Sequence, residues 1–250
     1  MVLRQVSRSL KGKVHGVEVP DIVAQSDHWV VVNKPSGMVV HRSRGANDKH
    51  TLVSVMRGHL GPNVFPVNRL DRQTSGIIIM ARDKDSAREL SLAFANREVF
   101  KTYEAVVRGW PSMALEEEIE IDRELGDKPA STRVVLLRKS LLEEQLGKYP
   151  TTRFSRLKLY PKTGITHQIR RHLRGHGYPI INDHQYGDRA LNNAFHDRFK
   201  QKRMLLHSRA LTFPFGGETY SVEVDWPGRS RGLLYHLDLM PEAAPEEAES

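Results

Sequence analysis

The densest chemistry in the chain lies in the segment Asn68-Arg69-Leu70-Asp71-Arg72-Gln73-Thr74-Ser75-Gly76-Ile77-Ile78-Ile79-Met80. One carboxylate sits between arginines, followed by small hydroxyl residues, a glycine and an apolar run that suits a buried strand. A loop anchored by a core strand can hold a side chain at a fixed place on the surface, as a nucleophile or general base requires. Arg69 lies two residues before Asp71, so an extended backbone turns both to the same side. The same composition also suits a plain turn in which Asp71 caps backbone N–H groups and the arginines are solvated.

A second cluster runs from Thr166 through His167, Gln168, Ile169, Arg170, Arg171, His172, Leu173 and Arg174 to His176. Arginines on a short helix can hold RNA phosphates, or one of them can pair with a carboxylate and favour its ionised form. His172 and His176 have the i,i+4 spacing of a zinc pair, with His167 as a third ligand. The arginines among them repel a cation, so no metal is expected. Tyr103 stands on an alternating segment, where a tyrosine is either core or a platform for stacking a base. His207, beside Leu205 and Leu206, reads as a hydrogen-bonded core histidine.

These groups need a frame, and the pattern around them is mixed. His28 to Asn33 is a short apolar stretch that ends in the turn Lys34-Pro35-Ser36-Gly37, a strand followed by a turn. Thr51 to Leu60 predicts a helix stopped by Gly61-Pro62; Ile77 to Met80 predicts a buried strand, and Ser86 to Asn96 a second helix. Lys101 to Val107 and Arg153 to Tyr160 alternate, the latter ending at Pro161-Lys162-Thr163-Gly164. Thr166 to Leu173 suits a helix, Leu205 to Phe213 and Thr219 to Val224 closing strands, and Leu141 to Lys148 a long loop or insertion. Strands outnumber the crossover helices that a parallel sheet demands. The expectation is an α+β domain with a mostly antiparallel, mixed sheet and flanking helices.

At 250 residues the chain can bury one sizeable core, and 39% hydrophobic with 27% charged residues is ordinary for a globular enzyme. No apolar run approaches the roughly 20 residues of a membrane helix, and zero cysteines excludes disulfides and thiolate-bound metals. A reducing cytoplasm is the expected location. The net charge is +8, and the last ten residues hold four glutamates and no basic residue, so removing them leaves +12 on residues 1–240. A body that basic fits a polyanionic partner, and nucleic acid is the expected one. Residues 1–20 read as a mobile basic arm, 21–232 as the globular domain and 233–250 as an acidic, disordered tail.

Arg69-Leu70-Asp71-Arg72-Gln73-Thr74-Ser75-Gly76 resembles the R-L-D-x-x-T-S-G signature of the RluA-type pseudouridine synthases. Other segments resemble that family in the same order: Asn33-Lys34-Pro35-Ser36-Gly37, the tyrosine strand Lys101 to Gly109, Thr166-His167-Gln168-Ile169-Arg170 with His172, Pro179-Ile180-Ile181 with Asp183, Tyr186 and Gly187, and Leu205-Leu206-His207. The likeness spans Ile22 to Pro227. His41-Arg42-Ser43, the segment 147–153 and the extension between Tyr186 and Leu205 are further similar to the subgroup acting on uridine 65 of tRNA.

The resemblance implies a pseudouridine synthase fold with a central cleft, in a monomer that isomerises uridine in RNA, with tRNA as the expected substrate. The same family also acts on ribosomal RNA, and a non-catalytic RNA-binding protein is the alternative from another class. Breaking a glycosidic bond and rejoining the base through carbon involves no net redox change, so no cofactor is expected. By the same resemblance Asp71 is the nucleophile, Arg170 its partner, and Tyr103 stacks on the extruded uracil and assists proton transfer. Arg69 fills the gap left by the extruded nucleotide, while Arg72, His167, Arg171 and Arg174 contact RNA. Asn68, Ile165 and Asn182 depart from the family pattern, which usually has His, Arg and Gly there; Asn tolerates the left-handed backbone that such a glycine supplies.

Overall fold

A computed structural model describes residues 12–42 and 50–241. The expected arm before residue 12, the expected tail after residue 241 and Ser43 lie outside the described residues.

The chain opens with the two-residue strands β1 (Lys13–Val14) and β2 (Val17–Glu18), which pair as a small hairpin. Then follow β3 (Ile22–Gln25), β4 (Trp29–Lys34), α1 (Leu52–Leu60), β5 (Phe65–Pro66), β6 (Ser75–Ala81) and α2 (Lys84–Ala95). The second half carries β7 (Phe100–Arg108), β8 (Glu118–Asp122), β9 (Ser131–Leu142), β10 (Thr152–Pro161), α3 (Gln168–Gly175), α4 (Arg189–Phe199), β11 (Leu206–Phe215), β12 (Glu218–Glu223) and α5 (Gly228–His236). One ten-stranded sheet runs β3-β4-β6-β11-β7-β10-β9-β8, with β12 paired to β11 and β5 to β6. Every pairing is antiparallel except β6 with β11, so the fold is α+β with a mostly antiparallel sheet, as expected.

The strand period sorts the core. In β4 and β6, Val30, Val32, Ile78 and Met80 face one side and pack with Leu52 and Met56 of α1 and Ile169 and Leu173 of α3. Trp29, Val31, Ile77 and Ile79 face the other side, where Leu90 and Ala93 of α2 and Phe213 of β11 cover them. Farther along that second side, Val106 and Phe154 pack under Leu191 and Phe195 of α4 and Leu234 of α5. β6 is buried along its whole length, and truncating a residue such as Ile78 would cost about 2–5 kcal/mol.

Helix starts follow local chemistry. Thr51 and Ser54 form a capping box on α1, and Asp83 accepts from the Ser86 N–H, which starts α2 two residues before the Ser86 expected. α3 begins two residues later than expected, because His167 takes a left-handed φ of 57° and only then does the chain wind.

The β8–β9 hairpin, α4 and α5 were not anticipated, nor were the short strands β1, β2, β3 and β5. The expected boundary at 232 falls inside α5, and Leu234, Leu237 and Leu239 are buried, so the domain continues to at least residue 239. The acidic composition of the last ten residues hides these apolar anchors. At the other end, the expected arm contains the β1–β2 hairpin, whose Val14 side chain packs on Gly58 of α1.

Candidate active site

Asp71 sits on the loop that feeds β6, and that loop is braced by the turn after β4. Gly37 N–H donates to the Arg72 carbonyl at 2.7 Å, Arg72 Nε returns a bond to the Gly37 carbonyl at 3.1 Å, and Ser36 Oγ donates to the Gln73 carbonyl at 2.7 Å. Lys34 completes the brace from within. Its Nζ donates to the carbonyls of Pro35, Met38 and Arg72 at 3.1, 2.8 and 3.3 Å, although the side chain is fully buried. Burial pulls the Lys34 pKa down to about 7, with the Asp71 charge opposing the shift. The Asn33-Lys34-Pro35-Ser36-Gly37 segment thus fixes the backbone immediately after Asp71.

Gly76 explains the last letter of the loop signature. Its φ is 108°, and a Cβ there would stand 2.2 Å from the Ser208 carbonyl oxygen, so only glycine lets β11 run against β6 at this point. The approach also brings Ser208 opposite Tyr103 on β7.

α3 carries the opposing wall. Gln168 is buried and acts as its anchor: Oε1 accepts from Thr163 Oγ1 and Ile165 N–H, while Nε2 donates to the Ser131 carbonyl and Thr132 Oγ1. Thus fixed, α3 directs Arg170 at Asp71, with Nη1 3.0 Å from Asp71 Oδ2. The rest of the Arg170 guanidinium is taken by Asp183, through Nε to Oδ2 at 2.7 Å and Nη2 to Oδ1 at 2.9 Å. Tyr186 lies under it, the guanidinium carbon 5.0 Å from the ring centre. Burial disfavours the Arg170 charge, but the two carboxylates more than offset it and hold its pKa above the ordinary value. Burial likewise works against Asp183 ionisation, yet Arg170 and the N–H groups of Tyr186 and Gln185 keep its pKa below the usual carboxylate range.

His167 stands beside this pair, with Nε2 3.7 Å from Asp71 Oδ1 and Nδ1 3.1 Å from the Tyr186 hydroxyl. Burial lowers its pKa, Asp71 pulls the other way, and the positive charges of Arg170 and Arg69 add to the lowering. Tyr103 is 9% exposed, and its pKa is pushed up to about 12 by burial and by the Asp71 charge against a hydrogen bond with Ser208. Tyr103, Asp71, Arg170, Arg69 and His167 all line one cleft of about 270 Å³, close to the lower end of small-ligand sites and suited to a single inserted base.

The structure therefore brings five of the sequence-predicted residues together. Arg72, Arg171 and Arg174 are not among the residues lining the cleft; Arg72 turns to its bond with Gly37, and Arg174 is exposed on α3. His172 is buried with its ring nitrogens at Thr132 Oγ1 and the Arg123 carbonyl, so it locks α3 to the β8–β9 hairpin instead of ligating a metal. His207 is buried as expected, bonded through Nδ1 to Ser75 Oγ at 2.9 Å and stacked on Trp226.

The three departures have local accounts. Asn68 lines the cleft and accepts the Ile79 N–H at 3.2 Å, so it ties the loop to β6. Asn182 has a φ of 61° and uses its amide to bind the carbonyls of Gln201 and Arg203, which a glycine could not do. Ile165 lines the cleft with an apolar side chain and brings no charge there.

Lys34, Lys101, Gln168 and Asp183 went unassigned by sequence reasoning. Lys101 lines the cleft two residues from Tyr103 on the same strand face, and burial lowers its pKa. The period of two beside Tyr103 was the available signal for it. Nothing local pairs Asp183 with Arg170.

A carboxylate held by a guanidinium beside a neutral phenol, in a cleft sized for one base, suits nucleophilic chemistry on a nucleotide. Comparison with known proteins agrees: residues 28–174 match the family described as RNA pseudouridylate synthase, and the chain belongs to that family of isomerases. It is 41% identical over 212 residues to the tRNA pseudouridine synthase C of Vibrio vulnificus, covering 77% of this chain and 84% of that one. The tRNA pseudouridine synthase C of Yersinia pestis is 35% identical over 232 residues, covering 86% and 89%. Among solved structures, human RNA pseudouridylate synthase domain containing 1 superposes with a TM-score of 0.67 at 25% identity, over 89% of this chain and 96% of that one. Human RNA pseudouridylate synthase domain containing 4 gives 0.65 at 24% identity, over 88% and 94%, a likeness of fold.

Proposed function

We propose that this protein isomerises uridine to pseudouridine in tRNA, at uridine 65, with Asp71 as the nucleophile. The observation that carries the reading is the Asp71 carboxylate, bonded by Arg170 at 3.0 Å and sharing its cleft with Tyr103. The relatives named tRNA pseudouridine synthase C support the choice of tRNA. The target uridine leaves the stack and enters the cleft, and Arg69 takes its place in the helix. Asp71 attacks the anomeric carbon or the base as the glycosidic bond to N1 breaks; the freed uracil turns, C5 bonds to the anomeric carbon as the bond to Asp71 breaks, and C5 gives up its proton while N1 takes one up. Arg170 pairs with the carboxylate and orients it; the Tyr103 ring stacks on the base and its hydroxyl moves a proton at the sugar. His167 helps hold the RNA at the cleft, and Arg72, Arg171 and Arg174 meet the backbone outside it. The working form is a cytoplasmic monomer, and among the described residues no helix is long and apolar enough to cross a membrane.

The test is release of tritium from tRNA labelled at uridine C5, with Asp71→Asn as control. The wild-type protein is expected to release label and the variant none, with the modified position mapped to uridine 65. Release from ribosomal RNA alone would overturn the tRNA assignment. Binding of both RNAs without release would overturn catalysis.

A further inference from the structure

A basic hollow outside the cleft lies between the β1–β2 hairpin, residues 41–42 and α1. Its volume is about 590 Å³, and His15, His41, Arg42 and Arg57 are its ionisable lining. No carboxylate lines it among the described residues.

Local backbone geometry builds this groove. His15 and Gly16 take φ values of 51° and 79°, the left-handed pair that closes a two-residue hairpin with the twist of its strands. The hairpin then docks on α1 through Val14. A Cβ on Gly58 would stand 2.4 Å from Val14 Cγ1, so glycine at 58 lets the hairpin close down on the helix. That docking sets His15 against His50, their rings stacked with centroids 6.1 Å apart, and His15 shares the groove with Arg42 and Arg57.

Several exposed cations elsewhere on the molecule sit against carboxylates. Arg133 pairs with Glu118, Arg138 with Asp238, Lys162 with Glu120 and Arg198 with Glu144. In the groove, Arg57 commits its Nε to the Val64 carbonyl and pairs with no described carboxylate, and Arg42 makes no described ion pair. An uncompensated cationic groove attracts a polyanion over a distance of a Debye length, about 8 Å at physiological salt. The groove is also tied through the chain to the catalytic loop: Gly37, which bonds Arg72, is followed within five residues by His41 and Arg42.

We propose that this groove binds the sugar–phosphate backbone of the substrate RNA, away from the extruded nucleotide, with Arg42 and Arg57 as the phosphate ligands and His15 and His41 as further donors. The assignment rests on the reading of the protein as a tRNA-modifying synthase. A cleft sized for one base cannot choose among the uridines of a folded RNA; a second anchor at fixed distance can, since it admits only those uridines that place backbone in the groove.

The test uses the full chain with Arg42→Glu and, separately, Arg57→Gln, assaying tRNA binding by fluorescence anisotropy from about 50 to 300 mM KCl, a range over which phosphate binding responds strongly to salt, and tritium release under steady-state conditions. Arg42→Glu is expected to weaken binding roughly three- to tenfold and to lower the slope of log K against log salt by about 0.7–0.9 for each phosphate no longer neutralised. KM should rise while kcat at saturating tRNA stays at the wild-type value. Arg42 is exposed, so this variant should keep the wild-type melting temperature, whereas Arg57→Gln also removes the bond to Val64 and is interpreted only beside it. Wild-type affinity and salt slope in Arg42→Glu would overturn the inference, and so would a fall in kcat with KM unchanged. Absence of tritium release by wild type would sink the catalytic reading instead, a result the binding slopes leave separate.

Discussion

Arg170 and Asp183 are joined by two parallel hydrogen bonds of 2.7 and 2.9 Å, and both side chains are almost wholly buried. A planar guanidinium held along one edge has no freedom left at its remaining corner, so the pair fixes the direction in which Nη1 meets Asp71. Asp183 is in turn held by the N–H groups of Gln185 and Tyr186, at 2.9 and 3.0 Å. The order of control runs from that turn to Asp183, to Arg170, to the carboxylate proposed to do the chemistry.

Asp183→Asn should therefore act at a distance. The amide keeps the volume and one acceptor but loses the second acceptor and the charge, so Arg170 is free to swing. Small misplacements of a reacting group cost on the order of 10²-fold in rate. By that measure we expect kcat for tritium release to fall about 10- to 100-fold with tRNA Kd within about threefold of wild type. Asp183→Ala, which strands Arg170 without its main partner, should also lose about 3–5 kcal/mol of stability in a denaturant melt. Wild-type kcat in Asp183→Asn would show that Asp71 alone positions Arg170.

Lys34 gives the fold a pH signature. Its folded pKa is about 7, well below its ordinary 10.5, so between those values the unfolded chain binds the extra proton. Stability must then rise with pH across that window: the contribution is complete above about 10.5 and lost as pH falls through about 7. The slope from one proton is at most about 1.4 kcal/mol per pH unit. Lys34→Met removes the proton, and the difference between wild-type and variant unfolding free energies should show this rise between about 7 and 10.5 on the pH scale. A flat difference would mean that the three carbonyls keep Lys34 charged when folded. Because the brace lies beside Asp71, the variant should also lose activity more steeply than stability.

How much of this was legible beforehand depends on the range of the interaction. Asp71, Tyr103 and Arg170 stand in short runs whose order matches a known family, so the site could be assembled from motifs without knowledge of the fold. Strands β4, β6, β7, β10, β11 and β12 announced themselves by apolar runs or alternation. β8 did not, since Glu118, Glu120 and Asp122 on an exposed edge strand resemble a charged loop. α4 does carry a helix signal, with Asp188 capping and Leu191 and Phe195 one turn apart, but it lay in a segment read only as an extension. α5 contains Gly228 and Gly232 and borders an acidic tail, which masked the burial of Leu234. The Arg170–Asp183 fork and the Lys34 brace are tertiary: each needs a turn and a helix, or two loops, placed by the sheet, and no periodicity encodes that.

Tyr103 separates a chemical role from a packing one. Its pKa of about 12 leaves the phenol protonated throughout the range in which RNA is stable, so activity should show no alkaline limb from this group below about pH 11. Tyr103→Phe keeps the ring and hence the stacking surface, and removes only the hydroxyl and its bond to Ser208. The cost in stability should be about 0.5–1.5 kcal/mol, the net value of one hydrogen bond. Binding of tRNA to an Asp71→Asn background should be unchanged by adding Tyr103→Phe. If the hydroxyl moves a proton at the sugar, single-turnover rates for Tyr103→Phe should fall by about 10²–10⁴-fold, the usual worth of a positioned acid or base. Near-normal turnover together with a lowered melting temperature would assign Tyr103 to the core alone, and proton transfer would then have to be sought at Lys101 or His167, the other titratable donors lining the cleft.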